Sequence, residues 1–148
     1  MGIFNFLTQE IAIDLGTANT LIIAHDKVMV DEPSIVAIDR KTEKVIAVGK
    51  RAMQMHEKTH ENIKTIRPLR DGVIADFQAA ESMIRGMISM IFPKNKLFKP
   101  SLVMVICIPS GITEVEKRAV KDSAEQAGAR EAYLIHEPMA AALGIGLD

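Results

Sequence analysis

Two stretches combine residue types that can handle phosphate and water. In Ile11-Ala12-Ile13-Asp14-Leu15-Gly16-Thr17-Ala18-Asn19-Thr20, a carboxylate ends an apolar run and a Gly/Thr/Asn turn follows it. Gly16 lets a backbone approach closely, and consecutive N–H groups with the hydroxyls of Thr17 and Thr20 can ring an anion. A carboxylate beside phosphate needs a bridging cation, so Asp14 is suited to hold the water shell of Mg²⁺. The second stretch is His136-Glu137-Pro138-Met139-Ala140-Ala141-Ala142-Leu143. Pro138 suits the first helical position, which leaves Glu137 at a helix N-terminus and at the C-terminal end of a strand. Open α/β sheets place their ligands at that edge. The plain alternatives are an ordinary hairpin tip and a glutamate that only caps its helix.

A third pattern offers metal chemistry. His56-Glu57-Lys58-Thr59-His60 is a literal H-E-x-x-H, which on a helix would turn two imidazoles to one face for Zn²⁺, with Glu57 as general base. Its surroundings argue for a solvated loop instead. Lys58, Thr59, Glu61 and Asn62 are polar where a rigid zinc helix needs apolar flanks, and Glu81 falls in a different expected helix. A zinc metalloprotease is therefore a remote alternative.

Composition narrows the classes. The 148 residues suit one domain with a sizeable core, and a net charge of −1 gives no global attraction to nucleic acid. Aromatic content is 4% with no tryptophan, so apolar mass comes from aliphatic residues and nine methionines. The single cysteine, Cys107, lies inside Leu102–Ile108 and reads as a buried strand residue of a reducing compartment rather than a catalytic thiol. No stretch has the length of a membrane span, and the start does not read as a signal peptide. Ile3, Phe4 and Leu7 nevertheless share a helical face, which suggests either a packed first turn or a short apolar membrane toe. Gly2 invites myristoylation, but Phe6 stands where Ser or Thr is needed.

The elements that must hold these residues follow in order. Two strands flank the Gly16–Asn19 turn, Val28–Val30 forms a third, and Ser34–Ile38 continues as strand after a turn at Asp31-Glu32-Pro33. From Asp39 to Gly72 the texture becomes short and charged, which predicts a small inserted lobe with a strand at Val45–Val48 and a helix over Gly49–Met55. Asp76 is the expected N-cap of a helix whose apolar positions are Phe77, Ala80, Ile84, Met87, Ile88 and Ile91. Leu102–Ile108 is apolar without alternation, as for a strand covered on both faces. Thr113-Glu114-Val115-Glu116 is a capping box for a helix ending at Gly128, and Ala132–Ile135 forms the next strand.

This combination resembles the actin/sugar-kinase/heat-shock ATPase superfamily, and within it the MreB family of bacterial actin homologues, over essentially the whole chain. The residues carrying the resemblance are Ile13–Leu21, Glu32-Pro33-Ser34, Ile66–Phe77 and Leu134–Leu143. Chaperone ATPases of the DnaK type look alike at both ends, but the Arg67-Pro68-Leu69-Arg70-Asp71-Gly72-Val73-Ile74-Ala75-Asp76-Phe77 block looks like MreB. The resemblance implies an α/β, ribonuclease H-like fold whose mixed sheet is flanked by helices. Residues 1–38 and 73–148 then form the first large subdomain, residues 39–72 its inserted lobe, and a second ATPase domain is missing. It implies ATP and Mg²⁺ as ligands, with Asp14, Gly16, Thr17, Ala18, Asn19 and Thr20 as the first phosphate loop. Asp14 would hold Mg²⁺ through water, and Glu137 would act on the attacking water. It further implies filaments of the protein with itself at the inner face of the cell membrane, cell-wall elongation machinery as partner, and maintenance of rod shape. His136 stands where the family is usually acidic, so a local change of charge is expected there. The chain by itself is expected to be half a nucleotide site without hydrolytic activity.

Overall fold

The computed structural model describes residues 8–58, 61–92 and 100–146. A five-stranded mixed sheet carries the fold, built from β1 (Thr8–Leu15), β2 (Asn19–Ala24) and β3 (Lys27–Pro33), with two later strands. The inserted segment adds β4 (Val36–Asp39), β5 (Val45–Val48), helix α1 (Lys50–Glu57), β6 (Ile63–Ile66) and the short pair β7 (Leu69–Arg70) and β8 (Val73–Ile74). Then come α2 (Phe77–Ile91), β9 (Ser101–Ile108), α3 (Glu114–Gln126), β10 (Ala129–His136) and α4 (Glu137–Gly144). The order in the main sheet is β10-β9-β1-β2-β3, with β10, β9 and β1 parallel and β2 and β3 antiparallel.

Register fixes what each strand shows to each side. Ile11, Ile13 and Leu15 of β1 lie level with Met104 and Ile106 of β9 and with Ile22 and Ala24 of β2, and all are buried. Beneath them α2 contributes Met83, Ile84 and Met87, each with no exposed surface, and α3 contributes Val120 and Ala124. Burying such side chains gives about 1.5–3 kcal/mol each, so this one face holds the domain together. The caps expected from sequence are present: Asp76 accepts from the Ala79 N–H at 2.9 Å, and Thr113 and Glu116 form the reciprocal box. Phe77 departs from expectation. It opens α2 but is 47% exposed, because Ala79, Ala80 and Met83 take the buried stripe.

The opposite face of the sheet is open among the described residues. β9 was expected to be covered on both sides, but its burial alternates, and Val105 and Tyr133 are exposed while Cys107 is half-buried. An unbroken apolar run cannot distinguish one covered face from two.

A three-stranded sheet, β5-β4-β6, forms the small lobe. It begins at Val36, so the strand read as Ser34–Ile38 belongs to the lobe and not to the main sheet. The lobe's helix α1 starts at Gly49 without a cap of its own. Glu32 supplies one from β3, its carboxylate accepting from the Lys50 N–H at 2.6 Å and pairing with the Lys50 ammonium at 3.5 Å.

Candidate functional site

The parallel strands bring the chemistry-bearing residues to one edge. Asp14 near the end of β1 is level with Cys107 of β9, and Cys107 is level with Ile135 of β10, one residue before His136 and two before Glu137. Asp14 and Glu137 are both exposed. Burial pushes the Cys107 thiol above its ordinary pKa, and the negative charges of Asp14 and Glu137 push it further. The thiol therefore senses both carboxylates, and it is held protonated rather than activated.

The Gly16–Asn19 turn borders this edge. Gly16 passes so close to the Asn19 carbonyl that a Cβ would sit 2.4 Å from its oxygen, so only glycine fits there. Thr17 is half-buried, and its hydroxyl accepts from the Gly72 N–H at 2.9 Å, which leaves its own proton free to donate. Asp71 and Gly72 both have positive φ (52° and 78°) and form the two-residue turn joining β7 to β8. A Cβ on Gly72 would lie 2.6 Å from Pro109, so this turn wedges between the Thr17 hydroxyl and the end of β9. A cavity of about 490 Å³ opens beside Thr17, with Arg67, Arg70 and Asp71 in its wall.

The other polar residues of the turn have inward or lateral partners. Asn19 donates its amide to Asp31 at 3.0 Å. Thr20 has no exposed surface, and its hydroxyl lies 2.9 Å from that of Ser34. It thus braces the turn instead of facing outward with Thr17. The exposed Ala18 accepts, through its carbonyl, from the Ser34 N–H at 2.8 Å and the Arg67 guanidinium at 3.3 Å. Ser34, Gly72 and Arg67 were not singled out as site residues. Their only sequence signal was their place in the Glu32-Pro33-Ser34 and Arg67–Phe77 blocks.

Around Glu137, the N-cap position of α4 falls to His136, whose ring makes no capping bond, and Pro138 lies in the first turn. Level with Ile108, His136 is on the α2/α3 face of the sheet, opposite Asp14 and Cys107, and its Nδ1 is buried without a partner among the described residues. The zinc pattern is not built: α1 ends at Glu57, the chain turns extended at Lys58, and His56 lies 2.5 Å from the Thr65 hydroxyl. His60 and residues 1–7 lie outside the described residues.

Comparison with known proteins decides the family. The model for "MreB/Mbl protein" matches residues 8–148. The chain belongs to the MreB/Mbl family. Over 141 residues it is 46% identical to the cell shape-determining protein Mbl of Bacillus subtilis, and over 145 residues 48% identical to the cell shape-determining protein MreB of Escherichia coli. Each match covers 95% of this chain and 42% of the relative, so the chain spans less than half the length of these MreB/Mbl proteins. Among solved structures, MreB5 of Spiroplasma citri bound to ADP superposes with a TM-score of 0.78 at 39% identity, covering 95% of this chain and 42% of that one. A MamK double helical filament, at 18% identity and a TM-score of 0.77 over 95% of this chain and 44% of that one, shares the actin-like fold. The chaperone and metalloprotease alternatives are not favoured by these matches.

Proposed function

We propose that this MreB/Mbl chain binds the phosphates of ATP with Mg²⁺ along the edge formed by β1, β9 and β10. In the whole protein, hydrolysis there would be coupled to polymerisation into filaments at the inner membrane face, which together with the cell-wall elongation machinery maintain rod shape. The observation that carries the reading is the register that sets Asp14 and the end of β10 on either side of Cys107. Two strand spacings of ~4.8 Å separate them, a gap of roughly 10 Å bordered by the N–H-rich turn. The MreB5 structures bound to ADP and to AMPPNP support nucleotide binding, and the MamK filament supports self-association.

Asp14 offers exposed carboxylate oxygens beside the turn, the hard donors that Mg²⁺ takes while it keeps several waters in its shell. Asp14 would hold that water shell, and the ion when bound would neutralise phosphate charge. The turn's N–H groups and the Thr17 hydroxyl hold phosphate oxygens, and Glu137 accepts a hydrogen bond from the attacking water and orients it. Phosphoryl transfer needs little more than such positioning and charge neutralisation. The division into a large subdomain and an inserted lobe, with the other wall of the cleft supplied by a second domain, belongs to the same reading.

Titrating nucleotide into the whole protein with and without Mg²⁺ tests this. Asp14→Ala is expected to weaken binding chiefly when Mg²⁺ is present; equal loss under both conditions would contradict the assignment.

A further inference from the structure

Resting on that phosphate-site reading, we propose that Ser34 is a positioning residue that fixes which way the Gly16–Thr17 peptide faces. Ser34 has no exposed surface and grips the turn twice. Its hydroxyl donates to the Gly16 carbonyl at 2.6 Å, and its backbone N–H donates to the Ala18 carbonyl at 2.8 Å. Since the Ser34 proton goes to Gly16, the 2.9 Å contact with Thr20 must be filled by the Thr20 proton. Thr20 therefore donates to Ser34 and Ser34 to Gly16, so both hydroxyl protons of this pair are used.

Peptide planarity carries the consequence across the turn. The peptide bond is trans, so the carbonyl of Gly16 and the N–H of Thr17 point in opposite directions. Holding the Gly16 oxygen inward turns the Thr17 N–H outward. Rotating this peptide changes ψ at Gly16, which glycine permits, and φ at Thr17, which the β-branched side chain resists; any rotation turns the carbonyl oxygen toward an anion and the N–H away from it. Ser34 holds the turn against that rotation. Gly72 does the complementary work on the side chain, because its N–H occupies the Thr17 oxygen and frees the Thr17 proton to donate. The two contacts reach the turn from residues 18 and 55 positions away in the chain.

The test measures affinities of the whole protein for ATP, ADP and adenosine by calorimetry, in wild type, Ser34→Ala and Ser34→Thr. Loss of an N–H aimed at a charged phosphate corresponds to about tenfold or more in affinity. Ser34→Ala is expected to lose that much for ATP and ADP while adenosine affinity holds, and Ser34→Thr, which keeps the hydroxyl, to recover most of it. Because adenosine is measured on the same sample, general destabilisation would lower all three ligands together, and that result would overturn the proposal. Should Ser34→Ala not fold, Ser34→Cys, with a weak donor of similar size, is expected to show the same selective loss. An unchanged ratio of ATP to adenosine affinity would also overturn it. A wild-type protein that binds no nucleotide would sink the phosphate-site reading itself, whereas wild-type binding with an indifferent Ser34→Ala would sink only the role of Ser34.

Discussion

At the scale of single residues, Cys107 is a built-in reporter of the two carboxylates. Its thiol is raised first by burial and then by the charges of Asp14 and Glu137. Alkylation proceeds through the thiolate, so its pH profile in the folded chain should lie above that of the same chain unfolded in urea. Asp14→Asn and Glu137→Gln should each move the folded profile part of the way down, leaving the contribution of burial. Profiles identical in wild type and both variants would mean that the carboxylates do not converge on this strand edge. The edge positions of Asp14 and Glu137 were legible in the sequence because each follows an apolar run and precedes a turn or a proline. Ser34 and Gly72 were not, since a serine's value here depends on a carbonyl 18 residues away and a glycine's on a hydroxyl 55 residues away. Thr20 shows the converse: its type and spacing suit a phosphate, while strand alternation turns its side chain inward beside Leu15.

At the scale of elements, contacts between near residues show in the sequence and contacts between distant ones do not. The caps of α2 and α3 involve residues three apart, so they were visible as patterns. The cap of α1 comes from Glu32 on another strand, 18 residues back, and nothing local announced it. The capping box also has a pH signature. The Thr113 backbone N–H, then its hydroxyl, hold the Glu116 carboxylate below its usual range. A depressed folded-state pKa contributes stability that is present above the unfolded value and lost as pH falls through the folded one. The N-terminal turn of α3 should therefore loosen on acidification through that window, seen as faster amide exchange at residues 114–117. Glu116→Gln should make exchange there insensitive to acid over the same range after correction for intrinsic rates. A variant that keeps the wild-type acid response would contradict this role.

At the scale of the whole molecule, the mixed sheet flanked by helices followed from the order of elements; β9–α3–β10 is a parallel crossover and β1 pairs parallel with β9, so the three C-terminal ends come together. The open sheet face did not follow. Val105 and Tyr133 are apolar enough to be buried, and only the placement of α2 and α3 on one side reveals that they are not. The central claim joins these scales: the edge where Asp14, Cys107 and Glu137 meet is one wall of an ATP site, with Glu137 acting on water. The most direct measurement compares ATP binding and phosphate release for Glu137→Ala in the whole protein. Binding should be nearly intact while turnover falls by roughly 10²–10⁴-fold, the span expected of a positioned acid–base group; turnover that survives the substitution would contradict the account and leave Glu137 as a residue of the first turn of α4.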